Sequence, residues 1–315
     1  VYSPEQLPVV KDIAKLKQER GEWMDADRQQ IFRLKIGERS WGRQSEQLVP
    51  LLHELGAYFA ERGDEIPRHW AEDPDLLIYR EELFRESIDL YERAIDIVEQ
   101  KYGENDLRLV ESLRGLSKAR ILQETGRYEA EDAMERAVEV VQMNPGTDLP
   151  DYVRTLVELG DVYTITRDGR AEETYLQAWN LIADKPEYDD LRRDLFGIPQ
   201  RLMPMESKVF VLDRYPQGLD ESDELYIDAE YTVHSSGKVT HVEILDGNVA
   251  NQDKRIFRSI LSERFYRPRI VDGKLVDTEG MMLHQTFRVR ETEPETEISF
   301  DAGPEYDAVT PRFRR

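Results

Sequence analysis

Residues 101–142 read KYGENDLRLVESLRGLSKARILQETGRYEAEDAMERAVEVVQ, and this stretch decides the fold. Apolar residues fall at helical spacing on both sides of a turn at Gly126-Arg127-Tyr128. The second half places Ala130, Met134 and Ala137 at offsets 0, +4 and +7. The same small–large–small spacing recurs upstream at Ser87, Tyr91 and Ala94, and downstream at Ala171, Tyr175 and Ala178. A recurring unit of this kind predicts an array of helical hairpins, each hiding its apolar face on its neighbours.

Working outward, a second marker sets the period. Gly follows Trp41, Tyr102 and Pro145, and ten residues after each Gly stands Leu52, Leu113 or Leu156. Glycine suits a helix end because it takes positive φ without a Cβ penalty. Three residues after each leucine come Leu55-Gly56, Leu116-Ser117 and Leu159-Gly160. The small second residue predicts close approach of the two helices of a hairpin. The glycine markers are spaced 61 and then 43 residues apart. Pro67 and Pro74 in the longer interval predict an extended connection. A helix over 4–20 and another over 25–40 complete a first unit, so about four hairpins are expected across residues 1–200, given the roughly 42-residue helical period.

The unit resembles the tetratricopeptide repeat, in the longer version seen in kinesin light chains. Gly126-Arg127-Tyr128-Glu129-Ala130 with two alanines seven apart carries the likeness, as do Leu159, Gly160, Tyr163, Ala171, Tyr175 and Ala178. Arg120 departs from the pattern, standing where an aromatic is usual. The resemblance implies that first-helix residues line a concave binding face. Carried over, these are Glu111, Arg114, Lys118 and Ile121 in one unit, and Arg154, Val157, Asp161 and Thr164 in the next.

Near Pro199 the period changes. Residues 201–207 contain Pro204 and read as a linker. From Leu225, apolar residues alternate at Ile227, Ala229, Tyr231 and Val233, which predicts a half-buried strand. A two-residue turn at Ser236-Gly237 would set Val233 opposite Thr240 and Tyr231 opposite Val242. Asn251 is placed to cap a helix with Ile256, Phe257, Ile260 and Leu261 on one stripe. A strand over 281–290 and a short one over 208–212 complete the unit.

This β-β-α-β order resembles the C-terminal domain of TonB, over residues 208–290. Tyr215-Pro216, Gly237-Lys238-Val239, Arg264-Phe265-Tyr266-Arg267-Pro268, Asp272-Gly273-Lys274 and Phe287 carry the likeness. The glutamine usual before the Tyr-Pro pair is absent, and a helical array stands where TonB has a membrane helix and a Pro-rich spacer. The resemblance implies an open sheet edge that accepts a partner strand, here residues 281–290 with His284, Thr286 and Arg288 facing the partner, or less favourably 208–212. It also implies a periplasmic protein with outer-membrane or other envelope partners and a link to energy-coupled transport. The start at Val1 rather than Met fits removal of a signal or anchor. Residues 291–315, ETEPETEISFDAGPEYDAVTPRFRR, read as an acidic, flexible tail.

The bulk numbers narrow the function classes. A net charge of −22 argues against a nucleic-acid surface. There is no cysteine, which removes thiolate metal sites, disulfides and cysteine nucleophiles. No apolar run spans a bilayer. The sequence contains no Gly-rich phosphate loop, Gly-x-Ser-x-Gly elbow or His-Glu-x-x-His pair. His234 and His241 share an outer sheet face with His284 on a further strand, but solvated or cross-strand histidines are the commoner arrangement. The expectation is therefore a multidomain α and α+β chain without enzyme activity, cofactor or metal. It would bind protein or peptide partners as an adaptor, the alternative being an assembly factor that self-associates through its C-terminal domain as a homodimer.

Overall fold

The computed structural model describes residues 2–66, 74–123, 125–202, 210–212, 214–220 and 222–289. Eight of its helices pair in sequence order as antiparallel hairpins. α1 (Gln6–Glu19) packs on α2 (Trp23–Trp41), α3 (Val49–Asp64) on α4 (Pro74–Tyr102), α5 (Leu109–Gln123) on α6 (Arg127–Met143), and α7 (Leu149–Thr166) on α8 (Ala171–Ile182). A short helix α9 (Asp189–Phe196) follows. Local chemistry sets the ends. Gly42 and Gly103 take φ of 93° and 94° just past α2 and α4. Gly146 does not adopt such a conformation; α6 ends at Met143 with Asn144 as its cap. Asp148 caps α7 by accepting from the Asp151 N–H at 2.9 Å, and Pro150 sits in the first turn, where no N–H is needed.

The small–large–small spacing has a direct steric meaning. Tyr91 of α4 lies flat in a socket between Gly56 of α3 and Gly115 of α5; a Cβ at Gly56 would fall 2.7 Å from the ring. Ser87, one turn earlier, donates its hydroxyl to the Gly56 carbonyl at 2.7 Å. The next repeats vary the theme. Ser117 donates to the Ala130 carbonyl at 2.7 Å, and Tyr175 covers Gly160, where a Cβ would come within 2.6 Å of the ring. Large residues on second helices thus fill spaces left by small residues on first helices, and the pattern repeats because each hairpin reuses the contact.

A buried polar seam joins the first hairpin to the rest. Asp27 of α2 accepts from Tyr58 at 2.5 Å and from Tyr79, with Arg62 nearby. Burial, then the hydrogen bond to Asp27, pushes both phenols well above their usual range. Arg33 pairs with Glu54 at 3.0 Å.

The second unit begins earlier than the sequence suggests. β1 (Gln200–Arg201) pairs antiparallel with β5 (Tyr266–Arg267), and the buried Leu202 donates its N–H to the Phe265 carbonyl at 2.9 Å. The expected linker therefore opens inside structure; residues 203–207 lie outside the described residues, as does the tail at 291–315. The main sheet runs β2 (Phe210–Leu212), β8 (Thr278–Val289), β3 (Leu225–Val233), β4 (Val239–Gly247), with β2 parallel to β8 and the other pairs antiparallel. β3 alternates as read from sequence, with Leu225, Ile227, Ala229, Tyr231 and Val233 buried beneath Phe257 and Leu261 of α10 (Asn251–Ser262).

Four details correct the sequence reading. The hairpin sets Val233 against Val239 and Thr232 against Thr240, because the turn takes three residues and not two. His241, at φ 51°, then forms a bulge that returns Val242 and Ile244 to the core side. Asn251 is the first helical residue, not the cap; Ala250 holds that position without a side-chain bond. Ile256 points to solvent, so the buried stripe is Phe257 and Leu261. Finally, β6 (Arg269–Val271) and β7 (Lys274–Val276) form an unanticipated hairpin around Asp272-Gly273.

The Tyr91 socket yields a stability test. Gly115→Ala should destabilise by about 1–3 kcal/mol, the usual cost of overpacking a filled core. Urea titration would show a lower midpoint at unchanged slope. Adding Tyr91→Leu should recover part of the loss, and an undiminished loss in the double variant would refute the steric account.

Candidate functional site

The first helices α5 and α7 carry the residues the sequence assigns to a concave face, and α3 stands beside α5. The described residues there form two grooves, both lined in part by α5. One, of about 730 Å³, is lined by Val49, Pro50 and His53 of α3, by Tyr91 of α4, and by Leu107 and Glu111. The other, of about 460 Å³, takes in Arg114, Lys118 and Ile121 of α5, Glu158 and Asp161 of α7, and Arg201 and Arg267 of the small domain. Glu111 and Arg114 stand one helical turn apart, so a single face of α5 serves both.

The side chains divide by environment. Glu111 is exposed and stands 3.3 Å from the His53 ring. The other ring nitrogen of His53 lies 2.7 Å from the Ser112 hydroxyl. Burial lowers the His53 pKa, against the opposing pull of Glu111. Arg114 pairs with Glu158 at 2.5 Å and donates to Thr155 at 2.8 Å. Burial pushes the Glu158 carboxyl up, with Arg114 acting against it. Lys118 is half-buried on the same face, and Arg154 is exposed and paired with Asp151 at 3.3 Å.

Four of the expected contact residues are tied into the core or the domain joint, two of them, Ile121 and Asp161, while also lining the second groove. Ile121 and Val157 are buried in the array core, because their positions turn toward neighbouring helices. Thr164 is buried at the end of α7, where the turn at Gly237 closes on it; a Cβ at Gly237 would come 2.7 Å from its methyl group. Asp161 is committed to the small domain. It accepts from Arg267 Nε at 2.8 Å and Nη2 at 2.5 Å, and from the hydroxyl of the fully buried Tyr175 at 2.8 Å. Burial pushes the Tyr175 phenol far up, so it keeps the proton it donates. Arg267 also donates to the Leu195 carbonyl at 3.2 Å. A two-toothed guanidinium–carboxylate contact fixes angle as well as distance, so the small domain is held at one orientation. β6–β7 completes the joint: Ile270 enters the array core, Leu275 packs beside it, and Gly273 lies 3.6 Å from Trp179. The sequence signal for this joint was Arg267 in the Arg264-Phe265-Tyr266-Arg267-Pro268 stretch, read there as fold and not as contact.

The sheet edge also differs from expectation. β2 lies beside β8 over residues 287–289, so Phe287 has strand partners on both sides. Arg288 stands opposite Val211 of β2, and Thr286 opposite Tyr226 of β3. His284 bonds Asp228 at 2.6 Å and stacks on Tyr226 at 5.4 Å. Among the described residues, β8 from Thr278 to Thr286 has a strand partner on one side only, so the unpaired stretch is shorter than the strand. The terminal strands of the sheet are β2 and β4. Among the described residues no three of His, Cys, Asp or Glu converge as metal ligands, and no helix is long and apolar enough to cross a membrane.

No family model matches the chain, and no curated protein matches it. Several solved structures are similar. BtubC (BKLC) from P. vanneervenii is 18% identical, with a TM-score of 0.44 over 68% of this chain and 73% of that one. A putative kinesin light chain from Podosopora anserina with nearly identical TPR-like repeats is 12% identical, with a TM-score of 0.40 over 62% of this chain and 95% of that one. A point-substituted form of that protein is 13% identical, with a TM-score of 0.39 over 61% of this chain and 93% of that one. The N-terminal region of this chain is an array of antiparallel helical hairpins, and a small sheet domain follows it.

The joint and the groove can each be probed. Asp161→Leu should cost about 2–3 kcal/mol, less than the roughly 3–5 of a fully buried pair because both side chains keep some exposure. Asp161→Leu with Arg267→Met should recover most of it in a denaturation cycle; additive losses would show that the two groups do not interact. His53 binds its proton less readily in the folded chain than in the unfolded one. Stability should therefore fall as pH drops below about 6.5, the unperturbed histidine value. Thermal melts from pH 7.5 to 5 should show a shallower decline for His53→Gln than for the wild type.

Proposed function

We propose that the chain is a non-catalytic protein-binding adaptor whose concave groove receives an extended segment of a partner. One observation carries the reading: α5 lines both grooves, one with an apolar floor at Val49, Pro50 and Leu107 beside the exposed Glu111, the other with the half-exposed cations Arg114 and Lys118. Such a surface grips a backbone and selects side chains by charge. Arg154 extends it along α7. Asp161 serves by holding Arg267, and with it the floor supplied by the small domain, in place.

The second surface is the open edge of β8, where unpaired backbone groups can accept a partner strand. Together with the resemblance of residues 208–290 to the TonB C-terminal domain, this supports a place in the bacterial periplasm, with an envelope or outer-membrane protein as the second partner and a part in energy-coupled transport. The clamp from Asp161 to Arg267 favours a further reading, a structural or assembly factor whose small domain serves to rigidify the array.

Panning a random peptide library on the intact chain, then titrating the selected peptides, separates these readings. Groove binders should lose at least tenfold in affinity on Glu111→Lys with Lys118→Glu, while edge binders should slow amide exchange over residues 278–286. Peptides that bind the reversed chain equally well and protect neither surface would sink the adaptor reading. Cell fractionation tests the compartment, and recovery only with cytoplasmic markers would overturn the periplasmic placement.

A further inference from the structure

The two grooves lined by α5 differ in the sign of the charge they leave unmatched. The first draws on the N-terminal half of α5 and the loop before it, through Glu111 and Leu107. The second draws on the C-terminal half, through Arg114 and Lys118. Most ionic groups of the first groove are satisfied. Glu46 pairs with Lys101 at 2.6 Å, Glu54 with Lys11 at 2.6 Å and with Arg33 at 3.0 Å, and Arg108 with Asp106 at 3.4 Å. Glu111 is the exception. Its side chain is 78% exposed, and among the described residues it meets no Lys or Arg. Burial favours the neutral form of the His53 ring beside it, so the Glu111 carboxylate keeps its charge.

The second groove has the opposite balance. Glu158 and Asp161 are matched there by Arg114 and Arg267. Lys118 and Arg201 make no ion pair among the described residues, and the lining acid left over is Asp194. The unmatched charge is therefore negative at one end of α5 and positive at the other. Net charge narrows the occupant further. In a chain of −22, a wholly acidic segment is repelled as it approaches, and a wholly basic one is attracted everywhere alike. A segment bearing both signs is drawn to this face and to its orientation.

Helix geometry sets the spacing. Glu111 and Lys118 lie seven residues apart on α5, two turns along one stripe, or about 10.5 Å. An extended segment advances about 3.1–3.3 Å per residue, so three or four residues cover that distance. Arg114 between them is already held by Glu158 and Thr155, so it does not compete for the ends.

We propose that the partner segment is charge-polarised: a Lys or Arg seats on Glu111 and, three or four residues along the segment, carboxylates seat on Lys118 and Arg201. This rests on α5 being the binding face and adds which charge lies where.

Capped peptides of one fixed composition, one Lys, two Glu, two Leu and three Ala, test the order when their charges are permuted. Each is titrated against the intact chain, in both chain senses. Peptides with Lys three or four residues from the Glu pair, in one of the two senses, should bind about tenfold or more tightly than permutations with the charges interleaved. On Glu111→Lys with Lys118→Glu the preference should invert: the charge-exchanged peptide, with one Glu and two Lys, should bind the variant better than the wild type. The permutation series uses the wild type alone, so it decides the matter even if the variant melts early. Equal affinities across the permutations, with amide exchange slowed over residues 109–123, would overturn the proposal and leave α5 as the binding face. So would a charge-exchanged peptide that the wild type binds as well as the folded variant does, or permuted peptides that all fail where peptides panned from a random library bind. Failure of both peptide sets would overturn the groove as a binding face and the proposal with it.

Discussion

The array depends on one steric constraint, the seating of Tyr91 between Gly56 and Gly115. One ring touches both the first helix of its own hairpin and the first helix of the next, so a single side chain sets two interhelical distances. The hydroxyl of Ser87 on the Gly56 carbonyl fixes the rotation of the same pair. Tyr175 over Gly160 repeats the arrangement at the last hairpin. With these distances fixed, α3, α5 and α7 stand side by side on one surface. The groove is a by-product of that spacing, since side chains on the surface one turn apart then face a common cleft.

The small domain completes this surface. Arg267 reaches across to Asp161, and Arg201 and Arg267 become part of the groove wall. The acid most buried in the expected contact set thus acts at one remove, through the cation it orients. The geometry of the cleft and the seating of the sheet domain are consequently one problem: a load that loosens the clamp alters the wall a bound segment would touch.

Much of this was legible in the residues. The spacing of Ser87, Tyr91 and Ala94 gave the hairpins, because helix periodicity and small–large alternation are local properties that survive in any tertiary setting. The face of β3 was legible for the same reason. What escaped was set by distant contacts. Val157 and Thr164 have the right helical phase for a binding face, and only the neighbours that cover them decide otherwise. The register of the β3–β4 hairpin turned on one residue of turn length and on the bulge at His241, and no composition rule fixes either. The short strand at 208–212 was legible too; its pairing with the last residues of β8, Phe287 to Val289, was not, because strand order is set by the tertiary fold.

The insertion of Ile270 and Leu275 beneath α8 and α9 has a consequence for how such a chain can diversify. A solenoid normally lengthens at whichever terminus exposes a stacking surface. Here one terminus is plugged by a hairpin of another architecture, shaped to Trp179 and to the last helix. Duplication of a unit after α8 would sever the plug from its seat. The last hairpin and the sheet domain are therefore one mechanical block, and a change in the shape of either side of the seat must be matched on the other.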